Sequence, residues 1–118
     1  MTCKTIALLR RRADLDRQAF VDYYETRHAP LIRSLVPGII EYRRNFLIRD
    51  GAFVSEAAAP LDFDVVTELW WADRAAYDAA MAVALRDDIA ARIAADEANF
   101  LDRSGTRMFL VDETKSAC

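Results

Sequence analysis

One histidine lies close to the apolar stripe of a predicted helix, one turn beyond a tyrosine, and these two residue types could carry acid–base chemistry. His28 is the only histidine of the chain, and Tyr24 lies four residues before it. Imidazole titrates near neutrality, and residues four apart share a helix face. In this position His28 could act as a general acid/base and Tyr24 as a hydrogen-bond donor to an oxyanion. Spacing alone favours the alternative, a structural histidine that bonds a backbone carbonyl freed by Pro30.

A carboxylate interrupts the apolar stripe of a later predicted helix. At helical spacing, the stripe consists of Ile89, Ile93, Asp96 and Phe100. A carboxylate is costly among apolar residues unless it is paired or hydrogen-bonded. We therefore expect Asp96 to meet Arg, Tyr or His, or to line a wet pocket. The neighbouring Glu97 falls at the edge of the stripe and is interpreted as a solvated charge.

Polar residues also lie on two predicted strands. Asn45 shares a strand face with Glu41 and Arg43. Glu68 lies on the same face of its strand as Trp70. If these faces line a shared dimer interior, they provide polar anchors in an apolar pocket, as in small-molecule sites. An interchain salt-bridge network is an equally good interpretation.

Composition removes several classes of protein from consideration. The 118 residues predict a single domain spanning 1–118, and a net charge of −3 gives no global reason to bind nucleic acid. One histidine and two cysteines are too few for the common zinc, haem or iron ligand sets. A carboxylate-only Mg²⁺ site stays open, but no spacing argues for it. The three glycines are scattered, so we expect neither a phosphate loop nor any metal or cofactor.

The termini and the basic run predict an ordinary cytoplasmic protein. Cys3 and Cys118 lie near opposite ends and are interpreted as reduced thiols. The apolar run 6–9 is too short for a secretory signal or a membrane span, so we expect no membrane association. The basic run 10–12 is interpreted as a solvated strand end.

The hydrophobic pattern predicts an α+β chain with the order β-α-β-β-α-α-β. Strands are predicted at 4–12, 39–49, 63–71 and 106–111, and helices from Asp16 to about 36, from 74 to about 83, and from 86 to about 101. Asp16 is the expected N-cap, Pro30 should kink or restart the first helix, and 104–105 should end the last one. Residues 52–61 are predicted to be a loop. This order is the ferredoxin-like split βαβ arrangement.

Two predicted strands carry large apolar residues on both faces. Val65 and Trp70 fall on opposite faces of one strand, as do Met108 and Phe109 of another. Helices can cover only one face of a four-stranded sheet. The other face would be an exposed apolar patch, which favours a homodimer with the two sheets packed face to face. The alternative is a monomer in which the loop 52–61 covers that face.

Four segments, in order along the chain, resemble the EthD-like proteins of the dimeric α+β barrel superfamily. They are residues 20–31 with the run His28-Ala29-Pro30-Leu31, Gly38 and Tyr42 leading to Asn45, residues 63–70, and residues 96–102. The resemblance covers nearly the whole chain and implies the dimeric α+β barrel fold. As candidate site positions it implies Tyr24, His28, Asn45, Asp64, Trp70, Asp96 and Phe100. The pair Tyr23–Tyr24 leaves open which ring faces the pocket.

The resemblance implies a superfamily of mixed function, because a fold does not fix a chemistry. Its relatives include cofactor-free polyketide cyclases, dehydratases, decarboxylases, lactone isomerases and some monooxygenases. We expect a cofactor-independent lyase or isomerase that acts on a small apolar, aromatic or polyketide-like carbonyl compound. The alternatives are a non-catalytic binding or accessory protein of a degradative pathway and a cofactor-free monooxygenase.

Each candidate residue has an expected role in that reaction. His28 would be the general acid/base and Asp96 would orient it. Tyr24 and Asn45 would bond the developing enolate oxygen. The remaining candidates would contact the ligand, and they are Asp64, Glu68, Trp70, Phe100 and Phe109.

Overall fold

The chain folds into one four-stranded antiparallel sheet with helices on one face, in a computed structural model that describes residues 2–118. In chain order, the elements are strand β1 (Cys3–Arg11), helix α1 (Arg17–Tyr23), a π-helical turn (Tyr24–His28), helix α2 (Ala29–Leu35), strands β2 (Glu41–Phe46) and β3 (Val65–Trp71), helices α3 (Arg74–Ala84) and α4 (Asp87–Glu97), and strand β4 (Leu101–Val111). The strand order across the sheet is β2-β3-β1-β4. The predicted α+β class and ferredoxin-like arrangement are confirmed.

Alternation along the strands gives the sheet two unlike faces. Val65, Thr67 and Trp71 of β3 lie under the helices and are at most 3% exposed. Between them, Glu68 and Trp70 point to the opposite side and are partly exposed. We call the helix-covered side the inner face and the other side the outer face. By strand register, the outer face includes Lys4, Ile6, Asn45, Glu68, Trp70 and Phe109.

Aromatic rings join the first helical segment to the sheet and to the start of β4. Phe20 meets Phe46 edge-on at 6.1 Å between ring centroids and lies 5.7 Å from Phe100. Tyr24 contacts the same two rings. Such pairs each contribute about 0.5–1.5 kcal/mol beyond the area they bury. They hold the π-helical turn firmly against the inner face.

The first helical segment follows its predicted signals. The side chain of Asp16 caps α1 by accepting the backbone N–H of Ala19 at 2.8 Å. The interruption expected at Pro30 takes the form of the π-helical turn just before it, where the N–H of Ala29 donates to the carbonyl of Tyr24. Proline has no N–H to donate and its ring crowds the carbonyl four residues earlier. The wider turn lets the helix continue as α2 without a break.

The last strand begins earlier than predicted. β4 starts at Leu101 rather than at 106, so the expected break at 104–105 is wrong. Gly105 lies inside the strand. A side chain there would clash, because a Cβ would come within 2.6 Å of the Arg10 Cβ. The pairing of β1 with β4 also shifts register between Leu8 and Arg10. The glycine therefore permits a close approach of two strands at an irregularity, as such glycines often do.

The loop expected at 52–61 is present and remains separate from the outer face. Its residues are exposed, and Phe53 is 96% exposed. Phe109 on the outer face is still 53% exposed, so the loop does not cover it. Across residues 2–118, no helix is long and apolar enough to cross a membrane.

Candidate active site

A cavity of about 480 Å³ lies between the inner face of the sheet and the helices. Most of its wall is apolar, with Leu9, Ile32 and Ile93 as examples. Its polar lining includes Tyr24, His28, Tyr42, Thr67, Glu97 and Arg103. A concave apolar space with a few converging polar groups is the usual form of a small-molecule site.

His28 is held in place by the partly buried carboxylate of Asp96. Its Nδ1 lies 2.8 Å from Oδ2 of Asp96, and the histidine is only 4% exposed. The other oxygen of Asp96 accepts the Tyr23 hydroxyl at 2.7 Å, and Asn99 donates to that hydroxyl at 2.9 Å. Both oxygens of Asp96 are thus placed to accept hydrogen bonds, which favours the imidazole tautomer with its proton on Nδ1.

The second imidazole nitrogen keeps access to the cavity. Within residues 2–118, Nε2 of His28 makes no hydrogen bond, yet every fully buried polar side-chain atom there has a partner. Nε2 is therefore not fully buried. Because His28 lines the cavity and Nδ1 is turned toward Asp96, the lone pair of Nε2 is the basic group available there.

Burial keeps this histidine neutral. Removal from water lowers the pKa of the His28 imidazole below its ordinary value, although the hydrogen bond and charge of Asp96 act in the opposite direction. At neutral pH the ring is consequently in its basic form. A neutral imidazole oriented by a carboxylate is the arrangement that general-base catalysis needs.

Three hydroxyl groups form a chain along the cavity wall. The Tyr24 hydroxyl lies 2.9 Å from that of Tyr42 and 2.6 Å from Oγ1 of Thr67. Burial raises the pKa of both phenols, so both keep their protons. Three hydroxyls carry three protons, and the two bonds between them use only two. One O–H of the chain is therefore free to donate to a ligand oxygen.

The hydroxyl chain and the imidazole are neighbours. The rings of Tyr24 and His28 meet edge-on at 5.4 Å between centroids, at the two ends of the π-helical turn. Such turns occur frequently at functional sites. The sequence did not show which of the two tyrosines faces the pocket. Tyr24 lines the cavity, and Tyr23 donates a hydrogen bond to Asp96.

Glu97 lies in the same cavity, so its interpretation as a solvated charge is wrong. Its side chain is 15% exposed, and its Oε1 lies 3.4 Å from Nε of Arg103. Burial raises the pKa of this carboxyl, the charge of Arg103 opposes the rise, and that of Asp96 adds to it. The sequence carried a signal for this placement. Glu97 stands four residues after Ile93, which also lines the cavity.

Other predicted binding residues lie on the far side of the sheet. Asn45, Glu68, Trp70 and Phe109 are all on the outer face. The expectation that Asn45 joins Tyr24 at one ligand oxygen is therefore wrong. Asn45 instead donates to Glu68 at 2.9 Å and to the carbonyl of Val66. Adjacent residues of a strand point to opposite faces, so a pocket on one face cannot include both sets.

The outer-face polar groups satisfy one another. Lys4, which is 8% exposed, lies 2.6 Å from Glu68 and also binds Glu113. Its ammonium lies 4.4 Å from the centre of the Trp70 ring, and the guanidinium of Arg43 lies 5.0 Å from it. These contacts form a network of ion pairs and cation–π contacts.

The two remaining candidates have supporting positions. Asp64 accepts the backbone N–H of Arg11 at 2.8 Å and pairs with Arg49 at 3.0 Å, beyond the cavity. Phe100 is fully buried, with its ring 4.8 Å from that of His28 and 5.1 Å from that of Tyr23. Phe100 fixes the rings around it, and neither residue lines the cavity.

Comparison with known proteins agrees with this architecture. The EthD domain model matches residues 12–104. An EthD family protein from Bacillus halodurans C-125 has a TM-score of 0.64 and 24% identity, covering 97% of this chain and 100% of that one. A dimeric ferredoxin-like protein of unknown function from Jannaschia sp. CCS1 has a TM-score of 0.60 and 16% identity, covering 96% and 100%.

A third similar structure is that of an enzyme. SnoaB from Streptomyces nogalater, a cofactor-independent oxygenase, has a TM-score of 0.59 and 13% identity, covering 98% of this chain and 95% of that one. At these identities the structures establish the shared fold and leave the chemistry to the site itself. No protein among the curated ones matches this chain.

Proposed function

The chain belongs to the EthD family, and on that premise we propose that it is a cofactor-independent lyase or isomerase that moves a proton next to the carbonyl group of a small apolar compound. One observation carries the proposal. His28 lines an apolar cavity, with one imidazole nitrogen held by Asp96 and the other without a hydrogen-bond partner among residues 2–118. The candidate reactions are dehydration, decarboxylation and cyclisation of aromatic or polyketide-like compounds.

The proposed first step is a proton abstraction by His28. Nε2 takes the proton from the carbon beside the carbonyl, and the electron pair moves to the carbonyl oxygen. The free O–H of the Tyr24–Tyr42–Thr67 chain donates to that oxygen as it becomes negative. A positioned histidine contributes about 10²–10⁴ in rate, and an oxyanion donor about 10²–10³. Asp96 stabilises the imidazolium formed in this step.

A homodimer through the outer face is the second part of the proposal. Phe109 is 53% exposed on the same face as Trp70 and its ion-pair network, and the similar Jannaschia structure is described as dimeric. Exposed apolar surface rimmed by paired charges is typical of an interface. In this proposal Asn45, Glu68 and Trp70 stabilise the dimer instead of binding the ligand. A cytoplasmic location stays a prediction.

Hydrogen exchange of a simple ketone tests the catalytic part. We expect the protein to speed exchange of the protons beside the carbonyl of benzylacetone in D₂O, followed by NMR. His28→Gln should reduce this rate about 10²–10⁴-fold with an unchanged circular dichroism spectrum. The matched control, Asn45→Ala on the outer face, should retain the rate. An unchanged rate in the His28 variant would rule out the proposed base.

Two other results would identify the alternative functions. Benzylacetone that binds without exchange, with an affinity that survives His28→Ala, would indicate a binding or accessory protein. Consumption of O₂ with a phenolic ligand would indicate a cofactor-free monooxygenase.

A further inference from the structure

The cavity holds a second titratable group that the first proton transfer leaves unused. Glu97 follows Asp96 on α4, and both Glu97 and His28 line the cavity. Among residues 2–118, the Glu97 carboxyl makes no hydrogen bond, and its ion pair is the loose 3.4 Å contact with Arg103. A buried carboxyl with so few partners is costly to maintain for stability alone. Its position therefore needs a reason in the chemistry of the site.

The position of Glu97 also indicates which part of a ligand it meets. Its partner Arg103 is 58% exposed, so this pair lies at a part of the cavity wall that reaches solvent. The hydroxyl chain, by contrast, includes Tyr24 and Thr67, which are at most 3% exposed. A ligand that places its carbonyl at the hydroxyl chain can direct its next polar substituent toward Glu97. A small group released there has a short path to water.

We propose that Glu97 is a second catalytic residue, the general acid that protonates a hydroxyl group on the carbon next to the one deprotonated by His28. This inference rests on the proposed function and gives its site a substrate class. The preferred ligands are β-hydroxy carbonyl compounds with an apolar or aromatic body, and the reaction is loss of water.

The bonds and protons of this reaction balance without an oxidant or reductant. His28 takes a proton from the α carbon, and the electron pair moves to the carbonyl oxygen held by the hydroxyl chain. The pair then returns to form the double bond between the α and β carbons. The carbon–oxygen bond at the β carbon breaks, and that oxygen takes the Glu97 proton and leaves as water. Transfer of a proton from His28 to Glu97 through solvent restores both groups.

Burial supports the assignment, because it raises the pKa of Glu97 and lowers that of His28. Both shifts enlarge the fraction of protein in which Glu97 is protonated and His28 is not. The charged neighbours of Glu97 are Arg103 on β4, which lowers its pKa, and Asp96 on its own helix, which raises it. The rate of water loss should therefore be highest in mildly acidic solution, between the two pKa values.

Two matched probes separate the two proton transfers. Benzylacetone has no hydroxyl group and reports only exchange by His28. The aldol of benzaldehyde and acetone adds the β-hydroxyl, and its dehydration to benzylideneacetone is followed by ultraviolet absorbance. The variant is Glu97→Gln. Its control is Asp88→Asn, an acid-to-amide change on the same helix at a side chain that is 64% exposed and outside the cavity.

The expected result is a selective loss. Glu97→Gln should dehydrate the aldol about 10²-fold or more slowly while its exchange of benzylacetone stays within about threefold of wild type. The alkaline limb of the pH profile should also move or disappear in this variant. Asp88→Asn should match wild type with both probes.

Three results would overturn the inference. If Glu97→Gln dehydrates the aldol at the wild-type rate, the inference is overturned and the proposed function stays intact. The same holds if the wild-type protein exchanges benzylacetone but does not dehydrate the aldol. If Glu97→Gln loses benzylacetone exchange and aldol dehydration to the same extent, the role of Glu97 is structural. Absence of benzylacetone exchange in the wild-type protein contradicts the proposed function itself, which distinguishes that failure from a failure of the Glu97 assignment.

Discussion

The polar side chains on the two faces of the sheet differ in how they are paired. On the outer face, Glu68 binds Lys4 at 2.6 Å and accepts from Asn45 at 2.9 Å, and Lys4 also binds Glu113. On the inner face, Nε2 of His28 has no protein partner among residues 2–118, and one O–H of the hydroxyl chain is in excess. The charged groups of the outer face are paired within the protein, whereas the titratable ring of the inner face keeps a nitrogen that a ligand can use.

This difference identifies the face that carries chemistry. The charges of the outer face are paired with one another, as is usual for groups that serve structure or an interface. An open lone pair and an open O–H next to an apolar cavity are what a carbonyl ligand requires. Polarity alone would not separate the two faces, since both contain carboxylates and aromatic rings.

The largest expected effect comes from exchanging one carboxylate on each face. Asp96→Asn removes the acceptor that fixes the tautomer of His28, and we expect benzylacetone exchange to fall about 10²-fold or more. Glu68→Gln should leave the rate per protomer unchanged when the protein is concentrated. Equal rate losses in the two variants would remove the distinction between the faces.

The next effect concerns the hydroxyl chain. Tyr24→Phe removes its middle member, so we expect about tenfold slower exchange and a loss of about 1 kcal/mol in the free energy of unfolding in urea. The control is Tyr77→Phe, because the Tyr77 ring packs on Trp71 and its hydroxyl makes no hydrogen bond in the described chain. If the two variants exchange benzylacetone equally fast, the hydroxyl chain does not bind the ligand oxygen.

An effect on assembly alone is expected from the outer face. Trp70→Ala removes a large ring between two cations, and we expect the dimer dissociation constant to rise about 30-fold while exchange is retained. Sedimentation over a dilution series measures this. Phe53→Ala removes an exposed ring from the loop 52–61 and serves as control. A larger effect of Phe53→Ala would place the interface at the loop instead of the outer face.

The smallest effect is on the pH dependence of stability. The pKa of His28 is lower in the folded protein, so the unfolded chain takes up the proton first as the pH falls. Stability from this group is therefore lost from the ordinary histidine pKa down to the lowered one, by about 1.4 kcal/mol per pKa unit of difference. Urea unfolding at several pH values should show this loss in the wild-type protein and not in His28→Gln.

Glu97 contributes with the opposite sign and can be removed as a control. Its pKa is raised on folding, so its stabilisation is present below the ordinary glutamate pKa and is lost as the pH rises through the raised value. In Glu97→Gln the loss due to His28 should consequently appear steeper. A profile that is flatter in this variant than in wild type would contradict the sign given to Glu97.

The sequence predicted the parts of the fold that depend on local signals. The Asp16 cap, the two-faced third strand and the family motif are all confirmed. Local signals were also enough to require a partner for Asp96, because its neighbours on the stripe are apolar. They could not identify Tyr23 as one of its two partners, since that contact spans 73 positions.

The sequence could not show which face of the sheet carries the cavity. Asn45 and Tyr42 stand on one strand three residues apart, and strand alternation puts them on opposite sides. A family resemblance combines positions from both faces of the sheet, because matching a motif does not show which way each side chain points. The cavity depends on tertiary packing, which puts Glu97 of α4 and residues of the sheet on one wall. The close approach of β1 to β4 at Gly105 is also a tertiary contact.

The most direct test is an NMR titration of the imidazole, which is unambiguous because the chain has one histidine. We predict a His28 pKa below the ordinary value, with Nδ1 protonated and Nε2 unprotonated at neutral pH, and a still lower pKa in Asp96→Asn because that variant loses the charge that raises it. A pKa at or above the ordinary value, or a proton on Nε2 at neutral pH, would contradict the account of His28 as the base of the inner cavity.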